Sequence, residues 1–328
     1  MGSAMKFILK RLLVMIPLLF AVTLVSYVLI SVTPGDPLAM YVNQDLMRTM
    51  TEEQKETKRE QLGLNEPIMT RYFNWLNDIV HGDLGKSFKT GQPIIKEIGQ
   101  RIGLTVTLSF ITMMLNYLLG IPLGIHCAKH KDGLLDNAVM MYAYVGISLP
   151  AFWISILAIS LFAVKLGWLP SMGLTDLTLN NPTKWQSAMD TLKHLILPIG
   201  LQVFTSIGST ARAERNLYLD VINQDYVRTA RAKGLPEGKV KWGHAYRNVM
   251  LPLASSLGGA LCGLLGGSYI IETIFAIPGL GSYSTAAILN RDYPVIMATL
   301  LMSSVLVMLG YLISDILYCV FDPRIRVE

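Results

Sequence analysis

Six long apolar segments constrain this chain more than any other feature of its sequence. A helix needs about 20 mostly apolar residues to cross a bilayer, and most of these segments reach that length. Only 16% of the 328 residues are charged, which argues against a disordered chain and against an ordinary soluble domain. The pattern predicts an all-α membrane protein with six transmembrane helices. The segments are 12–32, 102–125, 138–164, 195–210, 251–276 and 294–320.

The first apolar segment has to be distinguished from a secretory signal peptide. Its apolar run is longer than the roughly 7–15 residues typical of a signal sequence, and no small-residue cleavage site follows it. Thr33-Pro34-Gly35-Asp36-Pro37 ends the helix instead. We therefore interpret residues 12–32 as a retained first span, and we set residues 1–4, ahead of Met5, aside as a cloning remnant.

Lysine and arginine in the short connecting segments indicate the orientation of the chain. If the N-terminus lies inside, the inside segments carry fifteen basic residues and the short outside segments carry four. Cytoplasmic loops are enriched in basic residues, so both termini are predicted to be cytoplasmic. The net charge of +5 then belongs to a membrane face, and no nucleic-acid partner is expected. The inside segments are 1–11, 127–137, 211–250 and 321–328; the outside basic residues are Lys165, Lys184, Lys193 and Arg291.

The polar stretch 33–101 is predicted to form a small folded extracytoplasmic insertion. Most of it, residues 34–101, holds nine basic and ten acidic residues. Residues 51–62 are expected to be an exposed helix, because Thr51 can cap its N-terminus and Glu52 and Glu53 suit its first turn.

The sequence contains no recognisable catalytic constellation. Gly85-Lys86-Ser87 resembles the end of a nucleotide-binding P-loop, but Val80 stands where that motif needs a glycine. The five histidines make no metal-binding pattern, and the three cysteines include no C-x-x-C pair. We therefore expect no enzymatic activity, cofactor or metal on this chain.

Small and polar residues within the predicted spans indicate where helices pack closely and which side chains could line a pathway. Gly120 and Gly124, and the series Gly259, Gly263 and Gly267, predict close helix packing, with pore lining as the alternative for the latter series. Polar side chains of the fourth span indicate either an uncharged pathway or hydrogen-bonded helix packing. Intramembrane acids are costly, so those near span ends are read either as interfacial contacts or as gate residues. The candidate pathway or gate residues are Gln202, Thr205, Ser206, Ser209 and Glu272.

The inside loop 211–250 carries eight of the fifteen inside basic residues. Asp225 can cap a helix, Gly234 suits a left-handed C-terminal cap, and Pro236 suits the first turn of the next helix. Residues 225–250, the elbow, are therefore predicted to form a helix, a glycine corner and a second helix. Ala230 and Gly234 are small and four apart, which would let a partner approach closely. The alternative is a solvated loop with no specific role.

The elbow resembles the coupling, or EAA, motif of bacterial ABC-importer permeases, especially of the dipeptide and oligopeptide subfamily. Arg228-Thr229-Ala230 stands where the general motif has Glu-Ala-Ala, and the gap from Gly234 to Leu251-Pro252 is longer; both departures resemble features of the peptide subfamily. Other stretches that resemble this subfamily are Thr33–Pro37, Leu62–Pro67, His81–Gly85, Glu272–Gly281 and Asp322-Pro323-Arg324.

This resemblance implies the type I importer permease fold, with a five-helix core at 102–320, in a bacterial inner membrane. It implies a second homologous permease subunit, two ABC ATPase subunits that bind ATP and magnesium, and an external solute-binding protein. The ATPases would contact the elbow at Arg228, Thr229, Ala230, Arg231, Ala232, Lys233, Gly234 and Leu235.

Peptides are the expected substrate, because the resemblance is to peptide importers. Importers of the same class also carry nickel, metal chelates, glutathione or other small solutes, which are the alternatives. A stand-alone channel or secondary carrier would work without ATPases, and an intramembrane enzyme is least consistent with the missing catalytic residues.

Overall fold

A computed structural model describes residues 2–32, 36, 38, 41–176, 178–179, 181–236, 238–240, 260 and 269–321. Within these ranges the β pairing is limited to an isolated antiparallel bridge between Lys86 and Pro93, so the all-α prediction is confirmed for them. Most of the expected fifth span, its glycine series, the second half of the elbow and Asp322-Pro323-Arg324 lie outside the described residues.

The helices fall into short and long classes. Along the described chain, four long helices are separated by groups of shorter ones. In chain order they are α1 (Gly2–Ser31), α2 (Gln44–Thr49), α3 (Glu52–Gln61), α4 (Ile68–Val80), α5 (Ile94–Lys129), α6 (Leu134–Ser148), α7 (Ala151–Ala158), a π-helix (Ile159–Lys165), α8 (Lys184–Ile222), α9 (Asp225–Ala232), α10 (Tyr269–Ile274), α11 (Leu280–Leu289) and α12 (Tyr293–Phe321).

Four helices in the described residues are long and apolar enough to cross a membrane, namely α1, α5, α8 and α12. The pair α6 and α7 with its π-helix passes the same test together, but it bends by 102°. Leu149 at the break is extended, as expected for a residue before a proline, since Pro150 sterically disfavours the helical conformation there. The expected third span, 138–164, is thus a bent pair of helices. The described residues therefore supply four spans, or five if the bent pair counts as one span.

Helix α8 differs most from its predicted bounds. The apolar pattern indicated residues 195–210, whereas the helix runs over 39 residues. Its N-terminus carries a capping box, in which Thr183 accepts a hydrogen bond from the Gln186 backbone and Gln186 accepts one from the Thr183 backbone. Polar residues therefore continue the helix well beyond the apolar stretch that a hydropathy reading detects.

The chain divides into two compact units. The first, Met1–Leu104 with Pro278–Leu309, is packed around aromatic residues. Tyr27, Tyr72 and Met297 are buried together, and the Thr23 hydroxyl is 2.8 Å from the Tyr72 hydroxyl. A second cluster joins Ile94 and Ile98 to residues of α11 and α12.

Helix α3 confirms the prediction for the polar stretch of the first unit. Thr51 caps it and forms a reciprocal capping box with Gln54. An ion pair joins α3 to the preceding chain, because Arg59 donates to Asp36 at 2.5 Å. Burial acts to raise the pKa of Asp36, but the Arg59 guanidinium outweighs it and holds that pKa below its usual range.

The second unit, Thr105–Ile277 with Gly310–Arg326, contains the closely packed helices α5, α6 and α8. A Cβ atom on Gly124 would lie 2.4 Å from the Ala211 carbonyl oxygen, and one on Gly120 would lie 2.9 Å from Thr210. Across the other contact, a Cβ atom on Gly208 would lie 2.8 Å from the Cα atom of Ala143. The packing predicted for Gly120 and Gly124 is confirmed.

Candidate functional site

The described part of the elbow forms a helix that ends in a Schellman motif. Helix α9 stops at Lys233, and Gly234 adopts the left-handed conformation with φ +75°. The Leu235 N–H donates to the Ala230 carbonyl at 3.3 Å, and the Gly234 N–H donates to the Arg231 carbonyl at 2.9 Å. These two bonds define the motif and satisfy carbonyls that the helix end leaves free. The predicted role of Gly234 as a left-handed cap is confirmed.

A new helical turn starts directly after this corner. The N–H groups of Lys239 and Val240 both donate to the Pro236 carbonyl, at 2.8 and 3.1 Å. Proline suits this place because N–H groups in the first turn of a helix have no acceptor within the helix, so a residue without an N–H loses no hydrogen bond there. The bonds that end α9 and those that begin the next turn together account for the predicted change of direction between Gly234 and Pro236.

A small apolar core holds the described part of the elbow, residues 225–236 and 238–240, against the end of α8. Val227 and Val240 are fully buried, and Ala230 is 6% exposed. Leu235 and the last turn of α8 pack against them. Ala230 therefore faces the interior of the elbow, so the expected close approach of a partner is wrong for Ala230 and stays a prediction for Gly234. Gly234 is exposed, and a Cβ atom added there would meet no other atom within 4 Å.

The outer face of the elbow is basic. Arg228, Arg231 and Lys233 are all exposed, as are Thr229 and Ala232 between them. Arg228 lies 3.7 Å from the Asp225 carboxylate, but both side chains are largely in solvent, where such pairs are weak. This face is complementary to an acidic or polar surface.

The start of α9 differs from the sequence expectation. The N-cap residue is Gln224, which makes no side-chain capping bond, and Asp225 is the first helical residue. An acid in the first turn still interacts favourably with the helix dipole, so Asp225 keeps an electrostatic role. Next to it, Tyr226 is partly covered, and burial raises its pKa.

A buried ion pair that the sequence reading missed braces the helix leading into the elbow. Arg215 of α8 donates to both oxygens of Asp136, from Nε at 2.5 Å and from Nη2 at 2.7 Å. Asp136 is 1% exposed and also accepts the Asp132 N–H. The two residues are 79 positions apart, so no local pattern could have revealed the pair.

The polar side chains predicted to line a pathway lie along α8 and are half-buried. Thr205 donates to the Leu201 carbonyl at 3.0 Å, and Ser206 donates to the Gln202 carbonyl at 2.7 Å. The Gln202 amide lies 3.5 Å from the Pro198 carbonyl. These bonds return to the backbone of the same helix. Thr210, one position after Ser209, instead accepts a bond from Asn116 of α5 at 2.9 Å. Ser209, on the same helix, is half-buried as well.

Glu272 belongs to a different helix, α10. It is 1% exposed, and the Thr105 hydroxyl donates to its carboxylate at 2.9 Å. This burial is within the protein, so the interfacial helix-end contact considered for Glu272 stays a prediction. Its role as a gate residue stays a prediction.

Two family matches cover nearly the whole chain. Residues 120–327 match the binding-protein-dependent transport system inner membrane component family. Residues 4–109 match the N-terminal region of the membrane components of the same transport systems. The elbow, α8 and the closely packed glycines all lie within the first of these matches.

Similar proteins match the chain from end to end. The oligopeptide transport system permease protein AppB of Bacillus subtilis is 37% identical over 321 residues, covering 98% of this chain and 99% of that protein. A putative peptide transport system permease protein of Brucella abortus is 38% identical with the same coverage. A probable peptide ABC transporter permease protein of Sinorhizobium fredii is 35% identical over 320 residues, again covering 98% and 99%.

These matches agree with the helical structure and its several candidate spans, and the family consists of transport permeases, not enzymes. The chain is a multi-pass membrane protein that belongs to the family of binding-protein-dependent transport system inner membrane components.

Proposed function

We propose that this chain is a permease subunit of an ATP-driven importer of di- and oligopeptides and that it forms half of the translocation pathway. The observation that carries the proposal is the end-to-end similarity to proteins named as peptide permeases, from three bacterial genera. The described part of the elbow supports it, because a helix with an exposed basic face, packed against the end of α8, is suited to transmitting motion from a soluble partner.

The partners follow from this assignment. Two ATPase subunits, which bind ATP and magnesium, contact the exposed residues Arg228, Thr229, Arg231, Ala232, Lys233 and Gly234 on the cytoplasmic side. A second homologous permease completes the pathway, and an external solute-binding protein delivers the peptide near the 33–101 insertion. Both termini are cytoplasmic, as the distribution of basic residues favours.

The peptide passes uncharged polar groups of α8 in this proposal. Because Thr205 and Ser206 donate their protons to backbone carbonyls, their oxygen lone pairs remain as acceptors for the N–H groups of a peptide. Ser209 and Gln202 extend the same surface, and Glu272 acts as a gate residue. Acceptors of this kind suit many side-chain sequences, because every peptide presents the same backbone.

Reconstitution tests the proposal. The chain is co-expressed with a second permease and two ATPases of a peptide importer from the same organism, placed in liposomes, and supplied with the cognate binding protein and a labelled tripeptide. We expect ATP-dependent peptide uptake and peptide-stimulated ATP hydrolysis. Uptake that continues without the ATPases, or uptake of nickel in place of peptide, would contradict the assignment.

Charge reversal tests the coupling surface separately. Arg231→Glu combined with Lys233→Glu should abolish peptide-stimulated ATP hydrolysis, because both side chains project from the basic face of the elbow. Lys184→Glu, exposed at the far end of α8, is the matched control and should leave hydrolysis unchanged. Equal behaviour of the two variants would contradict the coupling role of the elbow.

A further inference from the structure

A cavity of about 200 Å³ in the first unit has four aromatic rings among its ten lining residues and shares no residue with the elbow or the polar surface of α8. Four rings contribute to it, those of Tyr27, Tyr41, Trp75 and Tyr293. Met297, which is 3% exposed, also lines it. So many rings around so small a volume distinguish it from an ordinary surface depression.

The rings are held in place by their own contacts. The hydroxyls of Tyr27 and Tyr41 are 2.9 Å apart and share a hydrogen bond. The Tyr27 and Trp75 ring centroids are 5.8 Å apart, and the buried Tyr72 packs against both, at 5.6 and 5.9 Å. The cavity is therefore formed before any ligand enters, which lowers the entropic cost of binding.

Two carboxylates, Asp78 and Asp83, also line the cavity, and the end of α4 brings them together. Helix α4 ends in a Schellman motif at Gly82, which has φ +85°. In that motif the Asp83 N–H donates to the Asp78 carbonyl at 2.9 Å, and the Gly82 N–H donates to the Ile79 carbonyl at 2.9 Å. One Asp83 oxygen accepts the Gly85 N–H at 2.8 Å, which fixes the orientation of the carboxylate. Its second oxygen can then accept a hydrogen bond from a ligand.

The two charged side chains that line the cavity are both acids, and one cation lies nearby, because the buried Arg71 of α4 acts electrostatically on Tyr27. Among the described residues that line it there is no lysine, arginine or histidine, and within the described ranges neither Asp78 nor Asp83 forms an ion pair. A second cavity of the same unit, of about 270 Å³, is different, because Lys89 and Arg101 line it together with Asp292. The negative charge is thus a property of the aromatic cavity and not of the whole unit.

The end of α4 does not itself stabilise these two exposed acids. The C-terminal end of a helix carries a partial negative charge, so acids are normally disfavoured there and cations preferred. Aromatic faces are also electron-rich and attract cations, most strongly tryptophan. Rings and carboxylates therefore favour the same class of ligand, and we infer that this cavity binds an organic cation, an alkylammonium or guanidinium group.

The volume limits the ligand to a small group. Drug-sized ligands occupy pockets of roughly 300–1,000 Å³, so a cavity of about 200 Å³ suits the end of a basic side chain or a lipid amine. Both sources present the same chemistry to the rings and carboxylates. The inference is independent of the transported solute.

Titration of the full-length chain in a neutral maltoside detergent tests the inference, with saturation-transfer NMR as the readout. Choline and ethanolamine represent lipid amines, and the blocked amides of lysine and arginine represent protein side chains. The neutral isostere of choline, 3,3-dimethylbutan-1-ol, is the control ligand. We expect saturable binding of at least one cation, at least tenfold tighter than that of the neutral isostere. The tighter class of cation identifies the source.

Variants connect the binding to the cavity. Asp78→Asn and Asp83→Asn should each weaken cation binding about fivefold, since each removes one attractive charge at a partly exposed site. Asparagine keeps an oxygen for the Gly85 N–H, so the turn is preserved. Trp75→Leu should weaken binding about threefold or more through the lost cation–π attraction, whereas Trp75→Phe keeps a ring and should lose less. Asp45→Asn, an exposed acid outside the cavity, is the matched control.

Two results would overturn the inference. One is equal affinity for choline and its neutral isostere. The other is an Asp78→Asn, Asp83→Asn double variant that elutes and melts like the parent chain and binds cations with unchanged affinity.

Discussion

Gly124 is the residue at which helices α5 and α8 leave no room for a side chain. A Cβ atom there would lie 2.4 Å from the Ala211 carbonyl oxygen and 2.8 Å from Glu214 Cβ. The first obstacle is backbone, which cannot rotate away, so the helices themselves would have to separate. Glycine is required here by its neighbours and not by its own backbone conformation.

Replacement of Gly124 by alanine should therefore destabilise the protein by about 1–3 kcal/mol through overpacking. Gly99→Ala on the same helix is the control, because a Cβ atom there meets nothing within 4 Å. Alanine is the better helix former by roughly 0.5–1 kcal/mol, so this control should be neutral or slightly stabilising. The unfolding midpoints of the two variants in a denaturant titration measure both stability changes. Equal shifts of the midpoint for Gly124→Ala and Gly99→Ala would refute the close packing.

The Asp136–Arg215 pair gives a second prediction for single residues. Asp136→Ala should cost about 3–5 kcal/mol, because it leaves the Arg215 guanidinium partly buried without its carboxylate. The double variant Asp136→Leu, Arg215→Met should recover most of that loss, since an apolar pair of similar volume removes both charges. Asp220→Ala, an exposed acid near the end of α8, should change little. Thermal unfolding followed by gel filtration distinguishes the four proteins.

At the scale of elements, the elbow depends on the left-handed conformation of Gly234. Gly234→Val should destabilise the corner by about 1–2 kcal/mol, because a β-branched residue is disfavoured at positive φ. Gly234→Asn is the matched substitution. Asparagine tolerates this backbone conformation, so this variant should lose much less stability at the corner than Gly234→Val. Amide hydrogen exchange at Leu235 measures the result, because its N–H closes the Schellman motif. Equal exchange in both variants would contradict a conformational requirement at this position.

The elements differ in how far the sequence could predict them. Caps and corners at Thr51 and Gly234 were predictable, because the interactions that form them lie within a few residues of each other. The two ends of α8 were not predictable, because polar residues continue the helix beyond its apolar stretch on both sides. The bend at Leu149-Pro150 could have been read from its proline, but the hydropathy of 138–164 conceals it.

The candidate site follows the same division. The basic face of the elbow was predictable, since every exposed charge on it is local in sequence. The burial of Ala230 was not, because it depends on Val240 and on the last turn of α8. The Asp136–Arg215 brace and the burial of Glu272 against Thr105 are long-range contacts, which only the folded chain reveals.

For the whole molecule, the direction of the chain across the membrane is the property to test. Single cysteines are placed at Glu53 on α3 and at Arg231 on α9 after Cys127, Cys262 and Cys319 are replaced by alanine. A membrane-impermeant maleimide should label position 53 in intact cells and position 231 only after permeabilisation, because the basic segments favour a cytoplasmic elbow. The reverse pattern would refute the predicted orientation.

The length of α8 has a mechanical consequence. Its 39 residues extend for about 58 Å at a rise of about 1.5 Å per residue, nearly twice the roughly 30 Å hydrocarbon thickness. A tilt of about 10° would therefore displace one end by about 10 Å relative to the other. The elbow is attached at one end of α8, and the polar residues lie nearer its middle. In the proposed transport cycle α8 would therefore act as a lever, so that a large displacement at the elbow becomes a smaller movement, with greater force, at those residues.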